Sequence, residues 1–273
     1  MKYLTLPISA AKDEDIVNQI ANDSFWHPHK DDWIAAYRLY QTNGGNPFTV
    51  NPHSFSSDIH EQQYKLYDNR KNSDALKQIR HQKGLNSCPV CGSPATGSLD
   101  HYLPRSAYPE FSIMRANLVP ACGACNSGMK GSLVKGDDPQ RFIHPYFDVW
   151  ATQAIWYVEI CPPYEAATFK PLPAPQLQTP HKQIVEFHLK NVLGKQFYHS
   201  MANEWSSLPG QLKLKDPKLT IVSIKELLEI ELRCVKHSDG ENCWKAALIR
   251  GILRNNAAIK YLKDQALVAP FPP

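Results

Sequence analysis

Four of the seven cysteines fall into two pairs of identical spacing. Cys88-Pro-Val-Cys91 and Cys122-Gly-Ala-Cys125 are each Cys-x2-Cys, and 30 residues separate them. A tight turn can aim two thiolates so spaced at one ion, and two such turns complete a tetrahedral shell with zinc–sulfur bonds of about 2.3 Å. Gly92 after the first pair and Gly123 inside the second suit the torsions that bring backbone amides close to sulfur. The pattern predicts a structural Zn2+ held by Cys88, Cys91, Cys122 and Cys125. A closed shell of four sulfurs has no position for substrate, so this site is expected to stabilise rather than catalyse. Cys161, Cys234 and Cys243 lack such partners, and Cys234, on an apolar helix face, is expected in the core.

The stretch between the pairs, and the residues just after it, carry a second set. Asp100-His101 is followed by Pro104, Asn117-Leu118 precedes the second pair, and Asn126 directly follows Cys125, with Lys130 four residues later. Asp-His-x-x-Pro, Asn-Leu and Cys-x-x-Cys-Asn-x-x-x-Lys together resemble the HNH endonuclease motif, in its zinc-bearing form with a ββα-metal core. The resemblance covers residues 85–136, about a fifth of the chain. The third letter of the motif is asparagine here rather than histidine, as in the H-N-N variants found in the HNH domains of RNA-guided CRISPR effector nucleases. It implies a divalent-metal-dependent endonuclease that hydrolyses phosphodiester bonds of DNA, more in keeping with a double-stranded substrate.

Such hydrolysis needs a nucleophilic water, a base to take its proton, and positive charge at the phosphorus and the leaving oxygen. His101 suits the base, because a neutral imidazole with an ordinary pKa of about 6.5 accepts a proton at working pH. Asp100 offers a carboxylate oxygen and Asn126 an amide oxygen to a hard cation. So few protein ligands suit Mg2+ or Mn2+, which keep several waters and use the substrate phosphate. The resemblance implies that Asn117 fixes the intervening loop, or the His101 ring, by hydrogen bonds. Lys130, one helical turn beyond Asn126, is expected to neutralise a phosphate oxygen. Arg105, Arg115, Lys77 and Arg80 are further candidate nucleic-acid contacts. His144 reads either as a metal or substrate residue or, preceding a proline among aromatics, as packed structure.

To meet at one phosphate, these residues need a strand for Asp100 and His101 and a helix starting near Asn126, clamped by the zinc. The resemblance implies an α+β fold class: a ββα-metal HNH core stapled by a four-cysteine zinc site, embedded in mostly helical flanking regions. Residues 1–83 read as an N-terminal helical region with a basic arm, because KDEDIVNQIANDS and KDDWIAAYRLYQ carry apolar residues at helical spacing and 57–83 does so again. Between 65 and 83, six cations face only Asp68 and Asp74, which suits either a solvated helix face or a phosphate-contacting arm. Residues 84–136 form the nuclease core. Residues 137–180 read as a strand-containing, proline-rich connection, with ATQAIWYVEI paired to EAATFKP across Pro162-Pro163 and the six prolines of 162–180 marking a linker. Residues 181–273 read as a C-terminal helical region, including a capping box from Ser223 to Glu226.

Composition bounds the remaining choices. An apolar fraction of 42% and a charged fraction of 21% exclude wholesale disorder, and no run approaches the roughly 18 apolar residues of a membrane span. The net charge of +4 is too small to argue for nucleic acid by itself, so attraction must come from local arrangement. No secretory leader is recognisable and the cysteines are clustered, which points to a reduced, cytoplasmic setting. The flanks, including His144-Pro-Tyr-Phe-Asp148, resemble more loosely the HNH components of bacterial anti-phage defence systems, which implies an ATPase subunit as protein partner. The competing expectation is a non-catalytic, zinc-stapled subunit that binds nucleic acid or docks a protein through its C-terminal helices. Asp100, His101 and Asn126 together speak against it, because binding alone needs neither a base nor a second set of metal ligands.

Overall fold

The computed structural model of the chain describes residues 1–268; the end of the expected C-terminal helical region, 269–273, lies outside them. Two helices, α1 (Ala10–Ile20) and α2 (Lys30–Thr42), come first and pack on each other. Helix α2 buries Trp33, Ala36, Tyr37 and Tyr40 at the three- and four-residue steps that make one helical face apolar. The stretch expected to be helical over 57–83 divides into α3 (Ser57–Arg70) and α4 (Asp74–Arg80). Helix α4 turns Leu76 and Ile79 inward against Leu99 and Leu118, which holds the basic segment against the hairpin.

Those two leucines belong to an antiparallel pair, β1 (Ser98–His101) and β2 (Leu118–Ala121), with Asp100 opposite Val119 and His101 opposite Leu118. After β2 and the second cysteine pair, Cys125–Met129 make one π-helical turn, shorter than the helix expected there. Gly128 and Gly131 are poor helix formers, and the chain leaves the helical path between them.

A second antiparallel pair, β3 (Trp156–Cys161) and β4 (Thr168–Pro173), joins across Pro162-Pro163 in the expected order. The proline-rich stretch is not a free linker. Phe169 and Ala174 are buried, and α5 (His181–Val192) and α6 (Lys195–Lys215) pack on β4. Among the described residues β4 pairs only with β3, and an unpaired edge accommodates Pro171 and Pro173, which have no N–H to give.

Helices α7 (Ile221–Ser238), α8 (Trp244–Leu253) and α9 (Asn256–Val268) complete the described chain. The capping box of α7 is Thr220 with Ser223, not Ser223 with Glu226, because the helix begins three residues earlier than expected. Cys234 is exposed rather than in the core: Ile224, Leu228 and Val235 form the buried face, and Cys234 lies about 100° round the helix from Val235. Helix α8 lies directly on β3, where a Cβ on Gly251 would stand 1.6 Å from the Val158 carbonyl oxygen, so only glycine permits that approach. One apolar core runs from Met1 to Ala266 and takes in all four paired cysteines. No described helix is long and apolar enough to cross a membrane.

Candidate functional site

The two cysteine pairs converge. The sulfurs of Cys88, Cys91, Cys122 and Cys125 all lie within 4.8 Å of one another, and all four residues are buried. Cys91 and Cys122 Sγ are 3.8 Å apart, the edge length of a tetrahedron with metal–sulfur bonds of about 2.3 Å. The amides of Cys91 and Cys122 donate to Cys88 Sγ at 3.5 and 3.3 Å, and that of Cys125 to Cys122 Sγ at 3.4 Å. Hydrogen bonds of this kind favour the thiolate a metal needs. Gly92 closes the first turn at φ +81°, where a Cβ would stand 2.5 Å from the Asn242 carbonyl oxygen. The cluster can hold a tetrahedral metal ion such as zinc. It is also anchored to distant helices: Trp244 Nε1 donates to the Cys91 carbonyl at 2.7 Å, and His188 Nε2 to the Val90 carbonyl at 2.7 Å.

A cleft of about 270 Å³ opens beside the hairpin, lined among others by Tyr64, Tyr67, Asp100, His101, Arg105 and Asn126. Strand β1 delivers Asp100 and His101, the π turn delivers Asn126, and α3 delivers the tyrosines. His101 Nε2 lies 2.9 Å from the Ser112 carbonyl oxygen. A carbonyl only accepts, so Nε2 carries the hydrogen and Nδ1 of the neutral ring keeps its lone pair. Tyr67 meets the ring edge-on at 4.6 Å. Burial drives the His101 pKa down to about 3, and the charges of Arg105 and Lys130 push the same way, so the imidazole is neutral near pH 7 but a weaker base than the ordinary value expected from the sequence would make it.

Asp100 Oδ2 accepts from Lys130 Nζ at 3.2 Å, and Lys130 also donates to the His101 carbonyl. Burial raises the Asp100 pKa, and the Lys130 charge opposes the rise. The Lys130 side chain is 3% exposed, so the phosphate contact expected of it is replaced by an inward role. Its stem runs back from the end of the π turn to β1, where it neutralises a carboxylate that would otherwise be buried unpaired. Asn126 is exposed at the cleft. A carboxylate and an amide at an open cleft fit a hard cation that keeps most of its waters.

Asn117 does not line the cleft; it is fully buried behind it. Its Oδ1 accepts from the Leu103 amide at 2.7 Å and the Tyr40 hydroxyl at 3.0 Å. Its Nδ2 donates to the carbonyls of Leu103 and Phe111 at 3.0 and 3.2 Å. The amide thus holds both ends of the loop that carries Ser112. Tyr40 in turn accepts from His144 Nε2 at 2.9 Å, since His144 Nδ1 is occupied by the Tyr146 amide at 3.1 Å. His144 is fully buried with both nitrogens engaged, which makes it packed structure.

No family model matches the chain, and no solved structure matches it. Part of it is similar to a phage protein. Protein ea31 of Escherichia phage lambda is 50% identical over 90 residues, which cover 31% of this chain and 30% of that protein. The chain therefore spans less than a third of the length of the curated relative it matches.

The other expected phosphate contacts are spread out. Arg105 lines the cleft, whereas Lys77 and Arg80 lie on α4 outside its lining. Lys77 sits 3.9 Å from Asp74, and Arg80 donates to the Lys71 carbonyl at 2.9 Å. Lys65 and Lys71 pair with Glu61 and Asp68, which offsets part of the basic segment's charge locally. The amides of Arg115 and Ala116 are held by the buried Asp13 carboxylate at 3.1 and 3.2 Å. The sequence alone does not single out Ser112, Tyr67 or Asp13. Ser112 acts through a backbone carbonyl, which has no sequence signature; the three-residue spacing of Tyr64 and Tyr67 on α3 is the available signal for that wall.

Proposed function

We propose that this chain is an HNH endonuclease of the H-N-N kind, hydrolysing phosphodiester bonds of DNA with the help of a divalent metal. The observation that carries the reading is that Asp100, His101 and Asn126 share one open cleft, with His101 neutral and Nδ1 left to take a proton. In this reading β1, β2 and the π turn are a ββα-metal core whose helix is cut to one turn, and the four cysteines hold Zn2+ as its staple. His101 accepts the proton of the attacking water at Nδ1. The Ser112 carbonyl and the Tyr67 ring hold the imidazole, Asn117 holds the loop beneath it, and Lys130 opposes the rise that burial imposes on the Asp100 pKa and fixes the end of β1. Asp100 and Asn126 are the residues that would hold Mg2+ or Mn2+, which when bound supplies positive charge to the phosphate and the leaving 3′ oxygen.

The proposal extends to a cytoplasmic role as the nuclease effector of a bacterial anti-phage system, beside an ATPase subunit, supported by the looser resemblance of the flanks. Supercoiled-plasmid nicking with Mg2+, Mn2+ or chelator tests the chemistry, with His101→Gln as the comparison. Glutamine can still offer an N–H to the Ser112 carbonyl but cannot serve as base. The rate should fall by roughly 10²- to 10⁴-fold while the melting temperature holds. Equal rates would remove His101 from the mechanism. Absence of nicking by the native protein, with its natural partner present, would leave a zinc-stapled binding subunit as the better account.

A further inference from the structure

Helix α3 lies outside the 85–136 motif, yet it forms one wall of the cleft and controls the cation on that wall. Arg105 Nη1 donates to the Tyr64 carbonyl at 3.0 Å and to Asp68 Oδ2 at 2.7 Å, and Nη2 donates to Asp68 Oδ1 at 3.4 Å. The guanidinium stacks over the Tyr64 ring at 4.1 Å and stands 5.1 Å from the Tyr67 ring centre. These contacts fix both its position and its plane.

A guanidinium has five N–H donors in a rigid fork. Here three are committed: both hydrogens of Nη1, and one of Nη2. Asp68 takes the end-on edge of the fork, and the Tyr64 carbonyl takes the inner Nη1 hydrogen. What remains is the side-on edge, Nε–H with the second Nη2–H, and among the described residues neither has an acceptor. Two parallel donors on one planar edge match two oxygens of a phosphate. The side chain is 21% exposed at a cleft that also holds Asp100, His101 and Asn126.

We infer that α3 supplies the substrate-binding half of the site: Asp68 and the Tyr64 carbonyl hold Arg105 so that its side-on edge takes two oxygens of a nucleic-acid phosphate. Asp68 is then a positioning residue that acts through Arg105. The inference rests on the nuclease reading for its substrate. It also carries a sign that simple electrostatics does not. Asp68 is an anion beside the cleft, so its removal would by charge alone tighten the binding of a polyanion. If Asp68 positions Arg105, its removal weakens binding instead.

The test is the affinity of the full chain for a fluorescently labelled duplex oligonucleotide without added Mg2+, across a salt series. Arg105→Lys keeps the charge and loses the fork; it should raise Kd about tenfold and leave the salt slope nearly unchanged, the loss of a charge-assisted bidentate contact. Asp68→Ala should raise Kd by a comparable factor, and the double variant should be no weaker than Arg105→Lys alone. In plasmid nicking, Asp68→Ala should raise KM with kcat retained, the mark of lost binding shared by ground and transition states. An exposed ion pair contributes at most about 1 kcal/mol to stability, so all three variants should fold. Tighter or unchanged binding by Asp68→Ala, or unchanged binding by Arg105→Lys, would overturn the inference while leaving a nuclease that loses nicking at His101→Gln. A native protein that neither binds nor nicks DNA would overturn both.

Discussion

The cysteine cluster and the cleft are served by the same hairpin: Cys122 follows β2 where Ala121 faces Ser98, and His101 ends β1 where it faces Leu118. They satisfy their polar atoms in opposite ways. Around the cluster, amides point at sulfurs and side chains from α5 and α8 bond the knuckle carbonyls, so the site faces inward and joins distant parts of the chain. At the cleft the accounting is half complete. His101 uses one nitrogen, Asp100 has one oxygen bonded to Lys130, Arg105 commits three donors of five, and Asn126 is exposed. Buried polar groups are normally fully bonded, so the capacity left over at this opening is what a ligand could use.

The sharpest way to break that comparison is at the cluster. Cys88→Ser removes a sulfur that accepts two amide hydrogen bonds and is one of the four that could hold a metal. The expected loss is several kcal/mol, which lowers the melting temperature by about 10 °C or more, together with loss of bound zinc by elemental analysis. A variant of native stability and no change in metal content would show that the sulfurs are merely packed cysteines. The cleft variant His101→Gln is expected to behave in the opposite manner, losing turnover and keeping stability.

Asn117→Ala tests the layer between the two regions. It leaves the Leu103 amide and the carbonyls of Leu103 and Phe111 without their partner in a fully buried setting. The expected cost is about 3 kcal/mol, read from urea unfolding, with turnover reduced because the Ser112 loop loosens. A stable variant of normal turnover would mean that the loop is held by other contacts.

Much of this arrangement was legible in the residues because the chemistry is local. Cys-x2-Cys turns, an Asp-His pair on a strand and an asparagine after a knuckle each declare themselves within a few positions. The pairing of β3 with β4 across two prolines was legible for the same reason. What escaped depends on neighbours far along the chain. Lys130 turns inward because Asp100, 30 residues away, needs a partner in a desolvated spot. Cys234 faces out because the register of α7 is set by Ile224, Leu228 and Val235, one residue's rotation from the face it was expected to join. The proline-rich stretch is packed rather than a linker because α5 and α6, later in the chain, cover β4 and bury Phe169 and Ala174. Arg105 was visible as a cation, but its orientation depends on Asp68 and a backbone carbonyl of α3.

His144 gives the smallest and most specific prediction, because it is the counterpart of His101 with nothing left over. Both are held neutral by burial, and the His144 pKa is driven to about 3, with Arg141 and Lys130 pushing down and Asp148 pushing up. Asp148 is itself paired with Arg141 at 2.6 Å and accepts from the His144 amide at 2.7 Å; the hydroxyl of Tyr40 and the rings of Tyr102, Tyr146 and Phe147 complete the surroundings. In the unfolded chain this histidine takes its proton at about pH 6.5, whereas the native state takes it only near pH 3. Between those values the unfolded state binds more protons, so stability present above pH 6.5 declines as pH falls, by up to about 1.4 kcal/mol per unit from this residue. His144→Gln retains an N–H for Tyr40 and cannot titrate. Urea unfolding from pH 7 to pH 5 should therefore show a shallower decline for the variant, by close to one proton, on top of a constant loss from the bond to the Tyr146 amide. An unchanged slope would mean that His144 takes up its proton in the native state as readily as in the unfolded chain, and its equivalence to a fully satisfied structural group would fail.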